Sequence, residues 1–245
     1  MKSLLITDLG MIPYAEATAL QHRIAAARKT GAIDDVLLFC EHPPVITLGR
    51  NGKRENLLAS ENVLKQKSVE LQESNRGGDI TYHGPGQIVG YPILNLDLIR
   101  RDVHWYVRAL EEVMIRASAA FGVIAFRVPG KTGIWVHTEK FEEKLAAIGV
   151  HISRWVTTHG FAFNVATDLR NFELIVPCGI ADRKATSLEK LLTRAVTLAE
   201  VRPHLANHFC ELFQFTPRWI DRQELRQLLK KGEIPTADAP LTPSA

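Results

Sequence analysis

Arg76-Gly77-Gly78-Asp79-Ile80-Thr81-Tyr82-His83-Gly84-Pro85-Gly86-Gln87 packs four glycines, a proline, an arginine and a histidine into twelve residues. Glycine at this density lets backbone N–H groups approach a ligand, because no Cβ stands in the way. No Gly-Lys-Ser or Gly-Lys-Thr follows, so the segment is not a Walker loop. It also lacks the strand–loop–helix setting and glycine spacing of a dinucleotide fingerprint. On its own the commoner reading is a tight turn between strands.

Upstream of it, Leu4 to Leu9 reads as a short strand, and Tyr14 to Lys29, opened by Pro13 and closed by Gly31, as an amphipathic helix. Val36 to Cys40 and Val45 to Leu48 are apolar runs separated by Glu41-His42-Pro43-Pro44, which suits two buried strands joined by a stiff turn. Arg50 to Ser60 reads as a loop, and Val69 to Leu71 as a further strand. Downstream, the glycine-rich segment leads into an extended run, Tyr91 to Leu96. His104 to Phe121 keeps Trp105, Val107, Leu110, Val113, Met114 and Ala117 on helical spacing and stops at Gly122. The period then shortens: Val123 to Val128, Gly133 to Val136, Leu145 to Ile152 and Phe161 to Val165 read as successive strands of an antiparallel or mixed sheet. Capping boxes at Thr186 with Glu189 and at Thr197 with Glu200 open short helices, the second expected to be kinked or shortened at Pro203. Residues 1–231 read as one domain. Gly232 to Ala245, with three prolines and few large apolar side chains, is expected to be a disordered tail.

The bulk numbers exclude classes rather than name one. Across 245 residues, 46% hydrophobic and 23% charged content is that of a globular chain. Thirty basic against 27 acidic residues leave a charge of +3, and the basic residues are scattered, so nucleic-acid binding is not expected. The longest stretch free of charged residues, Ile80 to Leu96, carries His83, Pro85, Gln87, Pro92 and Asn95, and is no membrane span. Three widely spaced cysteines without a CxxC, and no signal-peptide pattern, point to a reducing, cytoplasmic setting.

Two residue types could carry chemistry. Cys178 lies in Ile175-Val176-Pro177-Cys178-Gly179-Ile180, a corner that exposes a nucleophile, whereas Cys40 and Cys210 sit in apolar patterns and read as core. A free thiol near pKa 8.5 is only a few per cent thiolate at pH 7, so reactivity needs a cation. Lys144 stands at the mouth of an apolar strand, Lys144-Leu145-Ala146-Ala147-Ile148-Gly149, and could supply it; taken alone it is also an ordinary edge lysine. Cys40 with His42 and His151 with His159 lack the spacing of a zinc site, and no metal is expected.

These segments together resemble one family, the lipoyl(octanoyl) transferases. Its Arg-Gly-Gly and Thr-aromatic-His-Gly-Pro-Gly-Gln signature is met from Arg76 to Gln87. Its lysine motif is met at Lys144 to Gly149, its acyl-site segment at His159 to Asn164, and its cysteine motif at Pro177 to Ile180, in order, within a similarity spanning His42 to Leu191. The resemblance implies an α/β (α+β) fold related to biotin and lipoate protein ligases, a mixed sheet flanked by helices. It also implies transfer of octanoyl from octanoyl-acyl carrier protein, through a thioester on Cys178 with Lys144 as its partner. The acceptors implied are the lipoyl domains of 2-oxoacid dehydrogenase E2 subunits and the glycine cleavage H protein, and no cofactor is implied. Substrate-binding positions carried over are Arg76, Gly77, Gly78, Asp79, Ile80, Thr81, Tyr82, His83, Ala147, Ile148, Gly149, Gly160, Phe161 and Ala162, with Phe163 as a further wall residue. Backbone N–H groups of Gly77, Gly78 or Gly179 are candidates for an oxyanion site. An ATP-dependent lipoate or biotin ligase, or a cysteine-dependent amidotransferase, is the alternative; a non-catalytic binding module is a more distant one.

Overall fold

The computed structural model describes residues 2–138, 141–176 and 184–232. The chain begins with β1 (Lys2–Met11), α1 (Tyr14–Thr30), β2 (Asp35–Glu41), β3 (Val45–Leu48), α2 (Glu61–Gln66), β4 (Glu70–Glu73), β5 (Ile80–His83) and β6 (Gln87–Ile93). It continues with α3 (Val103–Ala119), β7 (Ala125–Val128), β8 (Lys131–His137), β9 (Glu142–Ser153), β10 (Val156–Asn164), α4 (Leu188–Leu192), α5 (Leu198–Phe213), β11 (Phe215–Trp219) and α6 (Arg222–Gly232).

Eight strands form one mixed sheet in the order β11-β1-β2-β6-β10-β9-β8-β7, and three form a small sheet, β4-β3-β5. β11, β1 and β2 run parallel, and β6, β10, β9, β8 and β7 follow antiparallel. Alternation along β2 shows how the layers are built. Leu37 and Phe39 face a core closed by α3 and α5, through Leu110, Val113, Leu205 and Phe209. Val36 and Leu38 face the opposite layer, where Ile24 of α1 and Leu225 and Leu229 of α6 cover them. Covered on both sides, β2 is buried along nearly its whole length, which is why it reads as an unbroken apolar run. A third cluster, Ile46, Leu48, Ile80 and Tyr82 with Leu64, Leu174 and Ile175, forms around the small sheet. No helix of the described residues is long and apolar enough to cross a membrane.

The helix at Tyr14, the helix after Asp102 and the β7 to β10 meander agree with the sequence reading. So does the Thr197–Glu200 capping box, in which both reciprocal bonds are made. β2 and β3 are two buried strands joined by a short turn, as read, and the structure adds that they enter different sheets. Other expectations are corrected. Ile80–His83, read as part of a glycine-rich loop, is a strand paired antiparallel with β3. α4 is capped by Ser187, whose hydroxyl accepts the Lys190 N–H, and not by Thr186; the Glu189 N–H that would close the expected box is taken by the Val165 carbonyl. α5 runs through Pro203 to Phe213, because Val201, Leu205 and Phe209 stay packed in the core on either side of the missing N–H. α2, β11 and α6 were not expected. The last reaches Gly232, where the tail was read to begin, and the rest of that tail lies outside the described residues.

Candidate active site

A cavity of about 490 Å³ opens between the β6–β10–β9 face, the small sheet and the first turn of α1. Lys144 lines it, as do 76–81, His83, 147–149 and 160–162 of the expected substrate-binding positions. Two expected residues are turned away: Phe163 is fully buried in the helix-covered core, and the Tyr82 ring packs edge-on to Phe172, centroids 5.5 Å apart, with its hydroxyl accepting the Asn171 side-chain N–H. Cys178 and Gly179 lie outside the described residues.

The Arg76 guanidinium is buried and grips β3. Its Nη2 donates to the Thr47 carbonyl at 2.6 Å and to Thr47 Oγ1 at 2.9 Å, while Nε reaches the same hydroxyl at 3.1 Å. Gly77 donates its N–H to the Val150 carbonyl at 2.9 Å, so that donor is already taken up, leaving Gly78 and Gly179 as oxyanion candidates. Two glycines of the large sheet that line the cavity are required by close approach. A Cβ on Gly160 would lie 2.1 Å from the Gly90 carbonyl oxygen, and one on Gly149 would lie 2.7 Å from the Gly77 carbonyl oxygen and 3.2 Å from Arg76 Cδ. Gly149 therefore seats the arginine loop on β9 and is more than a wall of an empty slot.

Behind this loop lie three buried imidazoles. His42 Nδ1 donates to the Ile12 carbonyl at 2.7 Å, which leaves Nε2 to accept the Tyr91 hydroxyl at 2.7 Å. His83 Nδ1 donates to Gln87 Oε1 at 2.8 Å, and the Gln87 amide donates in turn to Asn164 Oδ1 at 2.9 Å. Tyr14 stacks on His83 with centroids 6.0 Å apart, and His159 contacts Asn75 Oδ1 through Nε2 at 2.6 Å. Burial lowers His42 to about 4. Burial, with His42 and Arg76 nearby, lowers His83 to about 3, and burial with Arg76 lowers His159 to about 3. All three are neutral at pH 7.

The sign of the resulting pH dependence follows. Unfolded imidazoles take up protons below about pH 6.5 that the folded chain refuses, so this stability is complete above 6.5 and is lost as pH falls toward 4. The loss reaches on the order of 2 kcal/mol per imidazole at pH 5. The urea midpoint should therefore fall clearly between pH 7 and pH 5; an unchanged midpoint would mean that the folded protein accommodates the charged rings.

Lys144 is aimed by a β-bulge. Ala146 pairs with Ile134 and Lys144 with Trp135, leaving Leu145 without a counterpart on β8. Leu145 and Ala146 both enter the helix-covered core, so Lys144 is delivered to the cavity instead of following the strict alternation. Its Nζ sits 4.7 Å from the centroid of the Trp135 ring, a cation–π contact. The neighbouring Glu143 is directed elsewhere, to Lys190 at 2.7 Å. The Lys144 N–H donates to the Lys184 carbonyl, and its carbonyl accepts the Thr186 N–H, both at 2.9 Å, so the chain downstream of Cys178 resumes as a short parallel partner of β9.

Tyr14, Tyr91, Gln87, Asn164 and Trp135 also line the cavity and were not singled out. Gln87 and Asn164 close motifs already quoted, so their positions carried a signal. Tyr14 opens an amphipathic helix and Trp135 sits in a plain strand, and neither pattern separates a site residue from core.

Residues 13–210 match the family model described as the lipoyl protein ligase A/B catalytic domain. The octanoyltransferase of Koribacter versatilis is 48% identical to the chain, covering 97% of it and 94% of its own length. That of Solibacter usitatus is 51% identical, covering 88% and 95%. Among solved structures, the bipartite lipoate protein ligase of Thermoplasma acidophilum, reported with its E2 lipoyl domain, has a TM-score of 0.71 at 18% identity. It covers 94% of this chain and 91% of its own, a likeness of fold.

Proposed function

The chain belongs to the lipoyl protein ligase A/B catalytic-domain family and is an acyltransferase that moves octanoyl groups in protein lipoylation, and from that premise we propose the route it takes. The donor is an octanoyl thioester of acyl carrier protein and the acceptor is the target lysine of a lipoyl domain. Cys178 thiolate attacks the thioester carbonyl; the new thioester forms as the carrier thiolate leaves, taking a proton from the Lys144 ammonium. Lys144, now neutral, removes a proton from the incoming lysine amine as it attacks the acyl-enzyme. The amide forms, Cys178 leaves as thiolate, and the starting ion pair is restored. One thioester replaces another in the first step and an amide replaces a thioester in the second, so no ATP is required.

The observation that carries this reading is the bulge at Leu145, which directs the ammonium of Lys144 into a largely apolar cavity while the same residue's backbone binds the chain downstream of Cys178. Burying about six methylenes of an octanoyl chain there, at about 0.8 kcal/mol each, would contribute roughly 5 kcal/mol. The test is the intact mass after incubation with octanoyl-acyl carrier protein in the absence of ATP, expected to rise by one octanoyl group that a lipoyl domain then removes. A requirement for ATP would point to a ligase, and no adduct would overturn the route.

Gly149 offers a second check. A valine there drives a Cβ against the Gly77 carbonyl, so Gly149→Val should lower transfer of octanoyl and of shorter acyl groups alike, by about tenfold or more, because it displaces the Arg76 loop. Selective loss of the longer chains alone would show instead that the new methyls enter the acyl slot.

A further inference from the structure

We propose that Asp79 is a positioning residue, whose carboxylate holds the loop to which Ile175 and Val176 are bonded, so that its loss slows acylation at Cys178 just beyond them. The inference rests on the acyl-enzyme route above and adds to it a residue that need not touch the substrate. Both oxygens of Asp79 are engaged with the same loop: Oδ1 accepts the Lys53 backbone N–H at 3.1 Å and Oδ2 the Asn56 side-chain N–H at 2.5 Å. The backbone carbonyl of Asn56 then accepts the Val176 N–H at 2.7 Å, the last described bond before Pro177. Beside it Leu57 pairs with Ile175, and the N–H groups of Leu58 and Ala59 donate to the Leu174 carbonyl.

Leu57 and Ala59 also pack on the small-sheet cluster, but residues 53–55 are exposed. The loop's single turn of 3-10 helix at Arg54–Asn56 has no side-chain cap and no buried residue. Asp79, by contrast, is anchored: its carbonyl accepts the Gly49 N–H at 3.0 Å, and the adjacent Gly78 carbonyl accepts the Asn51 N–H at 3.1 Å, both at the end of β3. A carboxylate fixed to the small sheet thus braces the loop on which the approach to Cys178 hangs. Downstream, the same segment returns to Lys144 of the large sheet. Misplacing reacting groups by about an ångström costs on the order of a hundredfold in rate, so loosening this loop should be read in the acylation rate.

The test compares Asp79→Ala with Asn56→Ala, whose side chain does not line the cavity. Three quantities are read: the rate of acyl-enzyme formation from an octanoyl-pantetheine thioester, its KM, and the alkylation rate of Cys178 by iodoacetamide in the substrate-free protein. Both variants should lose acylation by about tenfold to a hundredfold with KM within about twofold of the parent, and both should show a shifted pH profile of alkylation. A raised KM in Asp79→Ala with unchanged alkylation would overturn the proposal and make Asp79 a substrate contact. So would a silent Asn56→Ala. Circular dichroism establishes that each variant is folded, and Asn56→Ala carries the test if Asp79→Ala is not. The underlying route fails separately: Cys178→Ala would still be acylated, whatever the two brace variants do.

Discussion

Replacing Cys178 by alanine should abolish the octanoyl adduct and lower transfer by at least about a thousandfold, since on the proposed route it removes the group that splits the reaction into two steps. The measurement is clean because the other thiols do not compete. Cys40 is 2% exposed, and burial together with the carboxylates of Asp8 and Glu41 pushes its thiol far up. Cys210 is 5% exposed, and burial pushes it up to about 11. In the folded protein a single acyl adduct, or a single rapid alkylation, therefore reports Cys178. An alanine variant that still acquires one octanoyl group, or that transfers at the parent rate, would move the nucleophile elsewhere and remove the covalent route.

Lys144→Ala should reduce both half-reactions, by about a hundredfold to ten-thousandfold for loss of an acid–base group, and should raise the pH midpoint of Cys178 alkylation. The two demands on the lysine differ. Stabilising a thiolate needs only a positive charge, whereas accepting a proton from an amine needs a group that can become neutral. Lys144→Arg keeps the first and loses the second, because a guanidinium stays protonated. That variant should form acyl-enzyme yet stall at transfer to the lipoyl domain, which single-turnover rates for the two steps would separate. Cys178→Ala combined with Lys144→Ala should be scarcely worse than either alone, because groups working in one step are not additive. An unchanged alkylation profile with undiminished transfer would remove Lys144 from the mechanism. His83 would then be the next group to examine, as a neutral base whose Nδ1 proton is held by Gln87.

Much of this molecule is written locally. Pro13 and Gly31 bracket α1, Asp102 opens α3, and Thr197 with Glu200 starts α5, because caps and helical periodicity involve neighbours a few positions apart. The meander from β7 to β10 is legible for the same reason: its strands are consecutive and its alternation has a period of two. The motif segments at 76–87, 144–149 and 159–164 could be named from residue order alone, and with them the family. Only the tertiary structure decided which of these segments meet and how. β3 and β5 leave the main sheet because Ile46 and Tyr82 have a separate cluster to fill, completed by Leu174 and Ile175 from far along the chain. The bulge that turns Lys144 toward the cavity depends on the register between β8 and β9, and no local pattern at Leu145 announces it. The same holds for Asp79, whose carboxylate sits in a loop motif suited to substrate but is engaged by Lys53 and Asn56. Local sequence sets propensity and spacing. Long-range packing selects strand partners and register, and with them the direction in which each functional side chain points.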